Sequence, residues 1–206
     1  FVQRFLVDAL DARCVAVGAG FHFGIDATGT TETLSEIGER LGFEVKIVDI
    51  ACDDGTEIRS TTIRAAVTDG DLARAATMLG RPYELEGIVV PVPGPGRDLG
   101  VAVAKVSFPA NLTVPKHGVY AVIVGMDGIE YRGIADVSPG TEPGPPIDVL
   151  AVHVLGVERD LSGKQLRVGF LDRIRDHREF TTTGDLAAQI RDDIETAKRT
   201  FGDRAP

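Results

Sequence analysis

The sequence predicts an α/β layer followed by an all-β barrel, and three observations predict it. Up to residue 80, apolar positions recur at helical spacing around two short apolar runs. From Glu84 the period changes to alternation, in six short runs separated by turns rich in Gly and Pro. After those runs a single amphipathic stripe closes the chain.

In order, Val2, Phe5, Leu6, Ala9 and Leu10 repeat at helical spacing, and Cys14 to Val17 is an apolar run ending in glycine, so the opening reads as a helix followed by a buried strand. Thr31 to Leu41, with Gly42 behind it, is a second helix. Glu44 to Ile50 is a second strand, with Val45, Ile47 and Val48 expected to face inward. Strands alternating with helices make parallel β/α units. Two such strands leave a long apolar edge, so the reading expects more of the layer upstream of Phe1 or from a partner.

Ser60, Thr61 and Thr62 precede the helical pattern Ile63, Ala66, Val67. The run Thr68-Asp69-Gly70-Asp71 breaks the chain and caps a short helix, Leu72 to Leu79, which ends at Gly80 with Pro82 beyond. The six barrel runs fall at about 84–92, 101–108, 118–125, 129–136, 148–155 and 165–171. Turn signals stand at Pro93 to Gly96, Asp127-Gly128 and Ser162-Gly163, and residues 139–146 must form a loop. Asp185 to Phe201 carries Leu186, Ile190, Ile194, Ala197 and Phe201 on one stripe, a helix laid against the barrel.

Composition narrows the function. The 206 residues are 43% hydrophobic and 26% charged, a globular balance that allows one large or two small domains. A net charge of −9 without runs of like charge argues against nucleic acid or an anionic membrane surface as the main partner. An anionic ligand then needs local positive groups or backbone donors. Cys14 and Cys52 lack CxxC spacing, which favours a reduced, cytoplasmic protein over a disulfide scaffold. No run approaches the roughly 20 apolar residues of a membrane span.

Hydroxyls at a helix start, beside free backbone N–H groups, make an anion site, although such residues are also the commonest N-caps. Ser60, Thr61 and Thr62 are the candidates there. The loop GAGFHFG at 18–24 follows the first strand, at the end where open α/β sheets bind ligands. It is not a GxGxxG fingerprint, and on the residues alone Phe21 and Phe23 read first as packing aromatics. Gly94, Gly96 and Arg97 form a second candidate anion loop.

STTIR, a Gly-Asp pair eight residues past Thr62, and LGRPYELEG together resemble the bacterial bifunctional riboflavin kinase and FAD synthetase family. The likeness continues through GIVVPVPGPGRDLG, HGVYAVIV, SPGTEP and LAVHVLGVERDLSGKQLRVGFLDRIRDHREF, and so covers essentially the whole chain. It implies that 1–80 is the carboxyl half of a Rossmann-like nucleotidyltransferase domain and 81–206 a riboflavin-kinase-like six-stranded barrel with a C-terminal helix. It further implies ATP and Mg²⁺, riboflavin or FMN as substrate and FAD as product, and allows a homo-oligomer. Nucleotide phosphates would meet Ser60, Thr61, Arg64, Gly94, Gly96 and Arg97, and flavin would meet Gly20, Phe21 and Phe23. Arg59 replaces the first serine of the usual pair, and Gly20 replaces a polar residue of the family loop. The family's HxGH loop for ATP phosphates is absent from this sequence.

The resemblance also locates losses. The family's GFPTAN motif becomes Gly100 to Lys105, which puts Val103 and Lys105 where a threonine and an asparagine help bind metal and nucleotide. The strand glutamate of VExHxL becomes Ala151, so no catalytic residue is assigned in the barrel; His153, two residues on, shares its face. Asp148 and Glu142 are near in sequence but do not fall at the matching position. The resulting expectation is an FAD synthetase that transfers AMP from ATP to FMN, joined to a riboflavin-kinase-like barrel with altered chemistry. The alternative is a catalytically impaired flavin- or nucleotide-binding paralogue with a regulatory role.

Overall fold

The computed structural model describes residues 1–91, 103–140 and 148–203, which cluster into two compact units, Phe1–Arg59 and Ser60–Pro206. In the first unit the opening helix, Val2–Ala9, is π-helical rather than α-helical. The Leu10 N–H reaches back five residues to the Phe5 carbonyl at 3.2 Å, the wider ring of that helix type. Strands β1 (Cys14–Gly18) and β2 (Glu44–Val48) pair in parallel from Cys14↔Glu44 to Gly18↔Val48. Helix α1 (Thr31–Leu41) makes the crossover that parallel pairing requires. The Thr30 hydroxyl caps it by accepting from the Thr33 N–H at 3.4 Å, and Gly42, at φ 85°, ends it in the left-handed conformation.

The core of this unit is Val2, Leu34 and Phe43, with Val15, Val17 and Val45 half-buried around it. Here the sequence reading needs correction. Cys14 and Ala16 are exposed, and Ile47 and Val48 are 49% and 55% exposed rather than inward. Each strand has a single neighbour, and α1 covers one face of the pair, so the alternate face gains no cover. A hairpin absent from the sequence reading joins β3 (Cys52–Asp53) to β4 (Thr56–Glu57). Its turn residues Asp54 and Gly55 both take positive φ, 47° and 75°, as a two-residue hairpin loop demands.

In the second unit, α2 (Ser60–Asp69) and α3 (Leu72–Leu79) meet at Gly70, φ 82°, and the Asp71 carboxylate caps α3 by accepting from the Arg74 N–H at 3.1 Å. The six strands are β5 (Tyr83–Val90), β6 (Val103–Ser107), β7 (Gly118–Met126), β8 (Ile129–Pro139), β9 (Asp148–Val154) and β10 (Gln165–Arg175). They close in the order β10-β5-β6-β9-β8-β7, every pairing antiparallel. Closure removes the exposed edges that a six-stranded sheet would otherwise have. Asp127 and Gly128, at φ 52° and 79°, make the tight β7–β8 turn that the sequence announces. Gly87 is required where β5 crosses β6: a Cβ there would sit 2.2 Å from the Ser107 carbonyl oxygen.

Alternation sorts the strands into two faces. Leu85, Val122, Leu150, Val152, Leu166 and Phe170 are buried among the inward residues, and the edge of Phe170 meets the buried Tyr120 ring at 5.4 Å. Outward-facing Val119, Ala121, Ile134 and Leu171 pack beneath Ile190, Ala197 and Phe201 of the terminal helix, α4 (Thr183–Asp203). One charge lies under that helix. Asp193, 2% exposed, receives both arms of Arg175 at 2.8 and 2.7 Å and a third bond from the Gln189 amide at 3.0 Å. Removing one partner of a buried pair leaves the other charge uncompensated. Asp193→Ala should therefore lower unfolding stability by about 3–5 kcal/mol in urea titration, whereas Glu195→Ala, which breaks an exposed pair with Lys198, should change it by under about 1 kcal/mol.

Candidate functional site

Three regions carry the residues singled out by the sequence. At the start of α2 the hydroxyl residues do not precede the helix: Ser60 is already its first residue. Its hydroxyl is therefore not a cap. It accepts instead from the Arg64 guanidinium one turn on, Nη2 to Oγ at 3.1 Å, while Ser60, Thr61 and Arg64 all remain exposed. The positive end of the helix dipole lies at this same end, so hydroxyl, guanidinium and positive dipole coincide. In the first unit Arg59 is paired with Glu57 at 2.6 Å. That hydrogen bond holds the Glu57 carboxyl below its usual range and raises the Arg59 guanidinium. Both are exposed, so solvent screens the pair.

The glycine-aromatic loop divides by residue. Phe21 and Phe23 stack at 5.9 Å and pack toward Val2, Leu34 and Phe43, so the rings contribute to the core. Phe23 lies across Gly29, where a Cβ would fall 2.7 Å from the ring. Gly20 is exposed; its carbonyl oxygen lies 2.9 Å from His22 Nδ1, and the Arg59 guanidinium stands 3.7 Å from the position a Cβ would occupy. Beyond the carboxyl ends of β1 and β2 lies a cleft of about 370 Å³ lined by Gly18, Val48, Asp49, Ile50, Ala51 and Ile58. This is the place where open α/β sheets take ligands.

The third region is the outer face of the barrel. Register places Lys105 of β6 opposite Ala151 of β9, Ala151 opposite Asp136 of β8, and Asp136 opposite Val119 of β7. Directly opposed residues point to the same side, and Val119 lies under α4, so the whole row is on the outside. His153 is on that face too, opposite Val103 and Ile134. Lys105, Ala151, Asp136 and His153 are half-buried, and Val103 is 39% exposed. Gly94, Gly96, Arg97 and Glu142 lie outside the described residues.

Val103 and Lys105, which the resemblance would place at metal positions, do not fit a magnesium ion. A valine side chain has no donor, a lysine ammonium repels a cation, and the described residues hold no group of three ligating side chains. Sequence reasoning missed an acid that stands next to Ala151 on this face. Asp136 lies beside Ala151 and is bonded to His177, whose Nδ1 is 3.1 Å from both carboxylate oxygens. No local pattern announces this pair, because 41 residues separate its members.

A parallel β/α unit with a strand-end cleft, and a closed six-stranded antiparallel barrel with a helix fixed to its outside, define the riboflavin-kinase-like class with a nucleotidyltransferase portion. Residues 79–201 match the family model described as riboflavin kinase, and residues 1–62 match the one described as FAD synthetase. The chain belongs to the riboflavin kinase family.

A bifunctional riboflavin kinase/FMN adenylyltransferase of Escherichia coli (strain K12) is 33% identical over 203 residues, 98% of this chain and 64% of that protein. Its counterpart in Pseudomonas fluorescens is 34% identical over 201 residues, again covering 64% of the relative. The chain thus spans 64% of the length of these relatives. A crystal structure described as a macrolide-efflux protein from Streptococcus pneumoniae aligns with TM-score 0.83 at 29% identity, over 96% of this chain and 64% of that one. Among the described residues no helix is long and apolar enough to cross a membrane.

The packing of the aromatic loop is open to direct test. Gly29→Ala should force Phe23 off its seat and destabilise the first unit by about 1–3 kcal/mol. The readout is faster amide exchange confined to residues 1–59.

Proposed function

We propose that the chain is part of an FAD synthetase that transfers AMP from ATP to FMN, with residues 1–80 contributing the adenylyltransferase half and 81–206 the riboflavin-kinase-like barrel. The observation that carries this reading is the exposed Ser60 hydroxyl held by the Arg64 guanidinium at the start of α2. Adenylyl transfer asks for that kind of equipment. A phosphate monoester is largely dianionic at neutral pH, its second pKa being about 6, so the FMN phosphate attacks without a side chain to remove a proton. An FMN oxygen forms a bond to the α-phosphorus of ATP, the bond to the bridging oxygen breaks, and pyrophosphate leaves with the electron pair. The protein's task is to hold several negative oxygens and spread the charge. A guanidinium, hydroxyls and first-turn N–H groups do this.

Gly20, Phe21 and Phe23 stand in this reading as the flavin-side loop, the backbone at Gly20 rather than the packed rings offering the contact. Gly94, Gly96 and Arg97 stand as the second phosphate loop. Mg²⁺ travels with ATP, and a homo-oligomer and a cytoplasmic location accord with the reading. A second reading, a flavin- or nucleotide-binding paralogue without phosphoryl transfer, is favoured by Val103, Lys105 and Ala151 at the family's metal and acid positions.

The test is FAD formation from FMN and MgATP by the full chain, resolved chromatographically. Ser60→Ala should lower the rate roughly tenfold and Arg64→Ala by about 10²-fold or more, with Arg64→Lys recovering part of it. An Arg64→Ala rate equal to wild type would contradict the assignment, and FAD-free binding of FMN would favour the second reading.

A further inference from the structure

On the outer face of the barrel, the row Lys105, Ala151, Asp136 sets a methyl group between an ammonium and a carboxylate. Phosphoryl transfer to a hydroxyl, unlike adenylyl transfer to FMN, must dispose of a proton. Ala151 cannot take it. We propose that Asp136, held by His177, is the group that accepts the proton of an attacking hydroxyl at this face. The inference goes beyond the adenylyl transfer proposed above and supposes that this face of the barrel binds riboflavin and ATP.

Three observations converge on Asp136. It is the direct cross-strand neighbour of Ala151, so the two Cβ atoms lie about 4.5–5.5 Å apart on the same side of the sheet. A carboxylate there reaches the space next to the Ala151 methyl without any change of strand register. It is also accessible, its side chain being 34% exposed while Val119 on its other flank is 3% exposed. Access therefore comes from the Ala151 side.

Finally, its orientation is fixed. An ionised carboxylate only accepts, so His177 Nδ1 carries the hydrogen and donates it to Asp136. That bond uses part of the carboxylate's capacity of about four lone pairs and leaves room for a substrate hydroxyl. In the step, the riboflavin hydroxyl oxygen forms a bond to the γ-phosphorus of ATP and the bond from that phosphorus to the bridging oxygen breaks. ADP leaves with the electron pair, and the proton passes to Asp136. Lys105 stands on the far side of Ala151, and its ammonium is the positive charge this proposal sets against the transferred phosphoryl group.

The juxtaposition is unlike a second aspartate–histidine pair among the described residues of the barrel. His117 Nε2 meets Asp148 at 2.7 Å at the beginning of β9, but Asp148 pairs across to Pro139, three residues from Ala151 along β9, and so faces the opposite way. That pair is the internal control.

The experiment measures FMN formation from riboflavin and MgATP, and FAD formation from FMN and MgATP, in the same preparations of the full chain. Asp136→Asn should lower kcat for FMN formation by about 10²-fold while FAD formation from FMN stays within twofold. In that background Ala151→Glu should restore at least tenfold, because it returns a carboxylate to the neighbouring position. His177→Gln, which keeps a donor to Asp136 but cannot titrate, should retain kcat within about fivefold, and His177→Ala should fall below it. Asp148→Asn should leave FMN formation within twofold.

A normal FMN rate in Asp136→Asn, equal losses in Asp136→Asn and Asp148→Asn, or no rescue by Ala151→Glu would overturn the proposal. A wild-type chain that makes FAD from FMN but no FMN from riboflavin would overturn it as well and leave the adenylyltransferase reading standing. A chain that does the reverse would sink that reading and keep this one.

Discussion

Closure of the barrel by β10 is the constraint on which the rest of the structure depends. Its residues pair with β5 on one side and β7 on the other, so one strand completes two ladders at once. It also carries Arg175, whose bidentate bond to the buried Asp193 fixes α4 against the outside of the strands. A helix fixed there covers outward residues of β7, β8 and β10. Lys105, Ala151 and His153 lie on the same outer face and are half-buried.

Adenylyl transfer to a phosphate and phosphoryl transfer to a hydroxyl place different demands on a protein, and the two proposals divide along that line. Attack by a phosphate needs charge neutralisation and no proton acceptor, which suits a guanidinium and hydroxyls at a helix start. Attack by a hydroxyl needs a proton acceptor, which a methyl group cannot be. In the proposal, Val103, Lys105 and Ala151, at the positions that the resemblance assigns to metal and acid, bear on the second chemistry.

How much of this was legible depends on the range of the interaction. The barrel could be read almost strand by strand, because alternation and glycine turns are local, and Asp127-Gly128 states its turn type outright. The helices before it were equally clear from caps and from Gly42 and Gly80. What escaped was decided at a distance or at the edge of a pattern. The β3–β4 hairpin has strands of two residues, too short for periodicity, though Asp54-Gly55 was a usable signal. Ser60 reads as a residue ahead of the helix because hydroxyls favour that place, yet it is the first helical residue and its hydroxyl accepts from Arg64. Ile47 and Val48 read as inward because apolar strand residues usually find cover. Asp136 carries no sequence mark at all; its meaning comes from register with Ala151 and from His177, 41 residues on. Asp193 did leave a trace, a charge adjoining the apolar stripe of α4.

The most direct measurement of the central claim is where ATP's phosphates rest. A crystal of the full chain with FMN and an ATP analogue that cannot be cleaved between the α- and β-phosphates should place phosphate oxygens about 3 Å from the Arg64 guanidinium and the Ser60 hydroxyl or the first-turn N–H groups of α2. Phosphates bound elsewhere, with Arg64 still bonded only to Ser60 and α2 open to solvent, would contradict the account.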